Sequence, residues 1–348
     1  MDKIVEWLGE GEWERRLERV RRFWAGEGRV MVSVESGVGA YRQLFDDAKI
    51  LEQAPLNFQA QAALPGCNLP SFAADYGTVS TARYWGGKTF FPHEKSHDLF
   101  IELAAKTLDA ALALPVKTVD DPEMDAARGL ALYHRLCERL ESDRVWLRTP
   151  DFQGTLNTAA LVMDQQELMM AMFTDPELVH QLLGKVSDFL ISYHRCLVAG
   201  AGGRVCGNIW PYTFLPADLG ASFTEDMMPL LGPDQYQEFG VPYVEKLSRA
   251  FGGVHIHCCG EWGRHAANLA KSSAKILAVE FHYPHTRIEE LEPLLDKAVL
   301  VPYGYPARFK STSEYCDWLL REFPRARFWF PFCGESEEAM VFAARLAE

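Results

Sequence analysis

The constraint that dominates this chain is an alternation. Short runs of β-branched and aromatic residues recur along it, each separated from the next by a longer stretch. The clear runs are VMVSVES from Val30, RVWLRTP from Arg144, RVCGNIW from Arg204, VHIHCC from Val254, KILAVEF from Lys275, AVLVPYG from Ala298 and ARFWFPF from Ala326. A weaker eighth, SFAADYG, begins at Ser71. Near-continuous apolar runs of this length read as strands covered on both faces. The stretches between them carry apolar residues at three-to-four spacing. One of these, QELMMAMFTDPELVHQLLGKVSDFLISYHRCLVAG, holds a helix restart at Asp175–Pro176; another, GPDQYQEFGVPYVEKLSRAFGG, ends on glycines.

Helices between buried strands imply parallel pairing, because a parallel connection needs a crossover. Eight such units predict an α/β fold, a closed (β/α)8 TIM barrel. The chain has 348 residues, about 100 more than a typical barrel. The surplus is expected in an N-terminal helical extension over residues 1–28 and an elaborated region over 77–122, within one domain. An open doubly wound sheet would need a phosphate-binding glycine loop at its switch point, and no G-x-G-x-x-G or Walker A sequence occurs. The glycines of ESGVGAY have the wrong spacing and read as a βα turn.

Charge narrows the partners. The net charge is −13, which disfavours general nucleic-acid binding. The basic cluster RRLERVRR near the N-terminus is interleaved with glutamates and reads as a solvated helix face. No apolar run approaches the roughly 20 residues of a membrane helix. The first residues are acidic and carry no apolar export segment. Eight cysteines at irregular spacing do not suggest a disulfide framework. The expectation is a cytoplasmic protein with a small-molecule substrate and no membrane or nucleic-acid partner; a homodimer stays open.

The chemistry concentrates in GGVHIHCCGEWG, from Gly252 to Gly263. Alternate side chains of a strand share a face, so His255, His257 and Cys259 fall on one face and Val254, Ile256 and Cys258 on the other. At the C-terminal end of a barrel strand the first face points into the mouth, where active sites lie. Cys258 is then an inert packed thiol and His255 lies one layer deeper. Glu280, 21 residues after Cys259, occupies the matching place on the next strand, with His282 on the same face. Cys333 ends the last strand and precedes Gly334. His257, Cys259 and Cys333, completed by Glu280 or water, make a donor set suited to four-coordinate zinc. The aromatic residues Trp85, Phe90, Trp210, Tyr212, Phe281, Tyr283, Tyr303 and Tyr305 are expected at the mouth. Glu35, Asp75, Arg148, Asn208, Asp218 and His282 are candidates to orient the substrate, Asn208 and His282 first, since both fall at the predicted mouth.

HIHCCG, with H-x-C-G at His257–Gly260, and FCG around Cys333 together resemble the uroporphyrinogen decarboxylase and cobalamin-independent methionine synthase superfamily. They are most similar to its zinc-dependent methylcobamide:coenzyme M methyltransferase branch. DLGASFTEDMMPLLGPDQYQEFGVPYVEKL, NLPSFAADYGTVSTARYWGG and TPDFQGTLNTAALVM extend the resemblance over most of the chain. It implies zinc on His257, Cys259 and Cys333, and AVEF at Glu280 resembles the glutamate that also binds zinc in the methionine synthases. It further implies methyl transfer between a small thiol or methyl ether and a corrinoid carried by a separate small protein, since the chain has no D-x-H-x-x-G corrinoid signature of its own. Glu280, His282 and Asn208 would be catalytic. Glu35, Asp75, Arg148, Trp210, Tyr212, Asp218 and Tyr303 would bind substrate. The chain departs from the decarboxylases on its first strand, where VSVESGVGAYR replaces their arginine-bearing R-Q-A-G-R. A porphyrinogen decarboxylase is therefore the alternative reading, and a non-catalytic metal-binding barrel the second alternative.

Overall fold

The computed structural model describes residues 2–35, 46–64, 69, 71–73, 76–94, 96, 99–207, 209–334 and 336–346. Among the described residues, nine strands form two parallel sheets. In the first, β1 (Val30–Glu35), β11 (Arg327–Cys333), β10 (Val299–Tyr303), β9 (Ile276–His282), β8 (Val254–His257) and β7 (Ala221–Thr224) lie in that order. In the second, β5 (Trp146–Arg148) lies between β2 (Ser71–Ala73) and β6 (Val205–Cys206). The two sheets meet where residues 152–154, just past β5, bridge β7: Thr224 N–H donates to the Phe152 carbonyl at 3.0 Å and Gly154 N–H to the Thr224 carbonyl at 2.8 Å. The architecture is mixed α/β with parallel strands and intervening helices, and a TIM barrel is compatible with it.

Seven of the eight expected strands form close to where the sequence puts them, and the run from Arg204 contracts to two residues. Beyond Cys206 the chain turns at Trp210–Pro211 and runs back beside β6, with Gly207 N–H donating to the Leu215 carbonyl at 3.0 Å and Ala217 N–H to that of Val205 at 2.8 Å. This return lays Tyr212, Phe214 and Leu215 into the interior. A ninth parallel strand, β7, was not expected; its four residues ASFT are all buried.

Strand alternation divides the core in two. Outward residues such as Val32, Ile256, Val279, Leu300, Phe328 and Phe330 pack against the helices. Inward residues Met31, Trp146, Cys206, Ala278, Val299, Val301 and Trp329 fill the interior from below. The floor is closed by the helix Glu12–Trp24, whose Val20, Phe23 and Trp24 join that inner cluster. Trp24 stacks on Trp329 at 5.4 Å and donates its indole N–H to the Phe214 carbonyl at 2.8 Å. The arginines of this helix are used at its surface: Arg15 and Arg16 pair with Glu12, Arg22 with Glu27, and Arg21 with Asp218. In the 77–122 region the antiparallel pair β3 (Lys88–Phe90) and β4 (Phe100–Glu102) is followed by the short helix Leu108–Ala113. No described helix is long and apolar enough to cross a membrane.

Candidate functional site

The site forms at the C-terminal ends of β7, β8 and β9. His255 and His257 point inward from β8, as expected from their spacing. His255 is fully buried one layer down, where its Nδ1 meets the hydroxyls of Thr213 (3.0 Å) and Ser222 (3.3 Å). Burial pushes its pKa down to about 3, so the ring is neutral. Cys258 faces outward, fully buried, and burial drives its thiol pKa far up; it is an inert packed group.

Above that layer, Glu280 is completely buried between two imidazoles. One carboxylate oxygen contacts His257 Nδ1, and Oε1 lies 2.5 Å from His282 Nε2. The two rings stand 5.4 Å apart and nearly perpendicular. His257, buried to 7 % exposure, would have its pKa lowered by desolvation, but the Glu280 charge, the Cys259 side chain and Asp226 outweigh burial and raise it well above the usual value. On the solvent side Asp226 Oδ1 accepts the Cys259 backbone N–H at 3.0 Å and the Cys259 thiol at 3.3 Å, and lies 3.9 Å from His257 Nε2. Among the described residues two sets of donor atoms come within 4.8 Å of one another: Asp226, His257 and Cys259; and His257, Glu280 and His282. His257 belongs to both.

The test of whether a cation fits is the state of the lone pairs. Both Glu280 oxygens, His257 Nδ1 and His282 Nε2 are buried and none makes a hydrogen bond of proper geometry, despite their close approach. Buried polar atoms are ordinarily hydrogen-bonded. Four that converge without alignment suit a shared ion better than one another. Two imidazoles, a thiol and carboxylates are donors of the kind zinc takes.

The turn after β8 is held by backbone contacts. Thr286 Oγ1 accepts the Trp262 N–H at 2.9 Å and donates to the Gly260 carbonyl at 2.9 Å. A Cβ at Gly260 would sit 2.4 Å from Pro229 Cγ, so the glycine of H-x-C-G lets the Cys259 turn approach the segment that carries Asp226.

The other expected residues divide. Tyr303 packs on the His282 ring at 4.6 Å and on Trp210 at 6.1 Å, bringing all three to the mouth. Arg148 and Tyr212 meet below it: the guanidinium lies 3.5 Å from the ring centroid and donates to Ser71 Oγ at 2.7 Å. Asp218 is a correction. It precedes β7, at the N-terminal edge of the sheet, and its exposed carboxylate is taken by Arg21 at 2.7 Å, far from any mouth. Trp85, Phe90 and Phe281 are also misplaced by the sequence reading. Trp85 is buried against Phe189, Phe90 is exposed against Phe100, and Phe281 faces the helix layer. Cys333 ends β11 opposite Glu35 but belongs to neither converging set. Asp75 and Asn208 lie outside the described residues, as does the side chain of Glu35. Asp226 was missed because the strand that delivers it was missed; the run ASFT followed by two acids at Glu225–Asp226 was the available signal.

Residues 152–301 match the family model for uroporphyrinogen decarboxylase (URO-D). The superfamily resemblance is borne out. That segment contains β7, β8 and β9 and with them every residue of both donor sets. Comparison with curated proteins gives no match. Among solved structures, the fold is similar to that of a methyltransferase from Methanosarcina mazei, with a TM-score of 0.65 over 97% of this chain and 99% of the other, at 12% identity. At that identity the likeness speaks for the fold and leaves the branch within the superfamily undecided.

Proposed function

We propose that the protein is a zinc-dependent enzyme that moves a methyl group between a small substrate and a corrinoid carried by a partner protein. The observation that carries this reading is the buried meeting of His257, Glu280 and His282, with unaligned lone pairs and Cys259 alongside. These residues would hold the ion, and Cys333 is the further thiolate that the family resemblance adds. A zinc ion in such a site lowers the pKa of a bound thiol or polarises an ether oxygen. The chain's own residues do the remainder. Asp226 orients Cys259 through its N–H and thiol. The Glu280 carboxylate lies against His257 Nδ1 and stabilises the protonated ring. Tyr303 packs on the His282 ring and Trp210 on Tyr303, which holds His282 at the mouth. The methyltransferase of similar fold supports the choice of chemistry, and the glutamate on the first strand disfavours a polycarboxylate substrate.

Elemental analysis of purified protein tests it. About one zinc per chain is expected, lost in His257→Ala and reduced in Cys259→Ser and Cys333→Ser, together with methyl transfer to cob(I)alamin from an ether or thiol panel. Zinc-free protein that converts a porphyrinogen refutes the proposal.

A further inference from the structure

Strands β10 and β11 pair only at their lower ends, at Val299 with Arg327 and Leu300 with Phe328. Above that point they part, although each stays paired to its other neighbour: β10 follows β9 up to Tyr303, and β11 follows β1 up to Cys333. The parting opens a cavity of about 200 Å³ between the two strands and the helix Thr312–Glu322. Its walls include Tyr303, Tyr305, Tyr315, Cys316, Phe330 and Cys333, and among the described residues no charged side chain lines it. Tyr303 is shared with the candidate metal site, because the same ring packs on His282 at 4.6 Å.

Size and lining select an occupant. A dry apolar cavity of ~150 Å³ holds one benzene ring. The volume here accommodates one ring with a small substituent and excludes a tetrapyrrole. The described lining offers a carboxylate or sulfonate no cation to offset the water it gives up on entering the half-open cleft, whereas its aromatic rings favour an uncharged ring through stacking and edge contacts. A chain with this many acidic residues also repels an anion. We infer that the cleft between β10 and β11 is the substrate pocket and that it takes an uncharged, singly substituted aromatic ring, the aryl part of a methyl ether or thioether. The assignment of what the ring carries rests on the methyl-transfer reading; the binding of the ring does not.

The experiment uses the full chain stripped of metal with a chelator, and methoxybenzene as probe. Ligand-observed NMR should show binding in the millimolar range or tighter, and 4-methoxybenzoate should bind at least tenfold more weakly. Because Cys333 lines the cleft, methoxybenzene should slow its alkylation by iodoacetamide several-fold, read by mass spectrometry, while leaving Cys137 unaffected. Cys316→Met fills the cavity from the helix side and should weaken binding about tenfold. Thr312→Leu, at a partly exposed position of the wall, does the same without touching the core. Glu280→Gln should lose zinc and keep the ring, which separates this inference from the metal reading. Equal binding of the carboxylate, or ring binding that neither protects Cys333 nor responds to Thr312→Leu, overturns it.

Discussion

Replacing Glu280 by glutamine keeps the shape of the side chain and removes its charge. The position is wholly buried, with one imidazole at each carboxylate oxygen, so solvent does little to dilute the change. Two unit charges ~4 Å apart at an effective dielectric near 20 interact by ~4 kcal/mol. A doubly charged ion doubles that figure. About half is given back, because in the zinc-free protein the carboxylate already stabilises a protonated His257, and that pair must break before the ion binds. The net is ~4 kcal/mol, so zinc should bind about a thousandfold more weakly to the variant. The same argument fixes a proton count. The wild type should release one proton from His257 on binding zinc near neutral pH, and its affinity should rise about tenfold per pH unit there. In Glu280→Gln the imidazole is no longer held protonated, so the release should fall toward zero and the pH slope flatten. Chelator competition measures the affinity, and titration calorimetry in two buffers of different ionisation enthalpy measures the proton. An affinity unchanged within threefold, or undiminished proton release, would refute the reasoning that places the ion against Glu280.

Two other substitutions test the surroundings. Gly260→Ala forces a methyl group into the ring of Pro229, and it should cost ~1–3 kcal/mol in urea unfolding and increase Cys259 alkylation as the turn moves away from Asp226; an unchanged midpoint and alkylation rate would remove the close-approach argument. His194 is buried between Phe152 and Phe251 with its pKa pushed down to about 4 by burial. Its unfolded form takes a proton below pH 6.5, so the stability it contributes is complete above that value and is lost as the pH falls toward 4. The loss should be ~2 kcal/mol by pH 5, and His194→Phe should be spared it; equal acid sensitivity in unfolding curves at pH 7 and 5 would count against a buried neutral ring.

The sequence by itself determined the repeating strand–helix order, the inward face of β8, the inert outward Cys258, and the placing of Glu280 and His282 on one face of the next strand. These follow from side-chain periodicity, which a local run of residues carries in full. It could not determine which strands splay, and so gave no hint of the cleft between β10 and β11. Nor could it show that Asp226 reaches Cys259 or that Cys333 stands outside both donor sets. Asp218 and Asp226 read alike in sequence, yet one ends at the floor beside Arg21 and the other at the mouth. The difference is made by β7, the four-residue run ASFT, which lifts the chain from one end of the sheet to the other between them. Periodicity fixes which way a side chain points; only pairing between distant segments fixes how high along the sheet it stands and what it meets there.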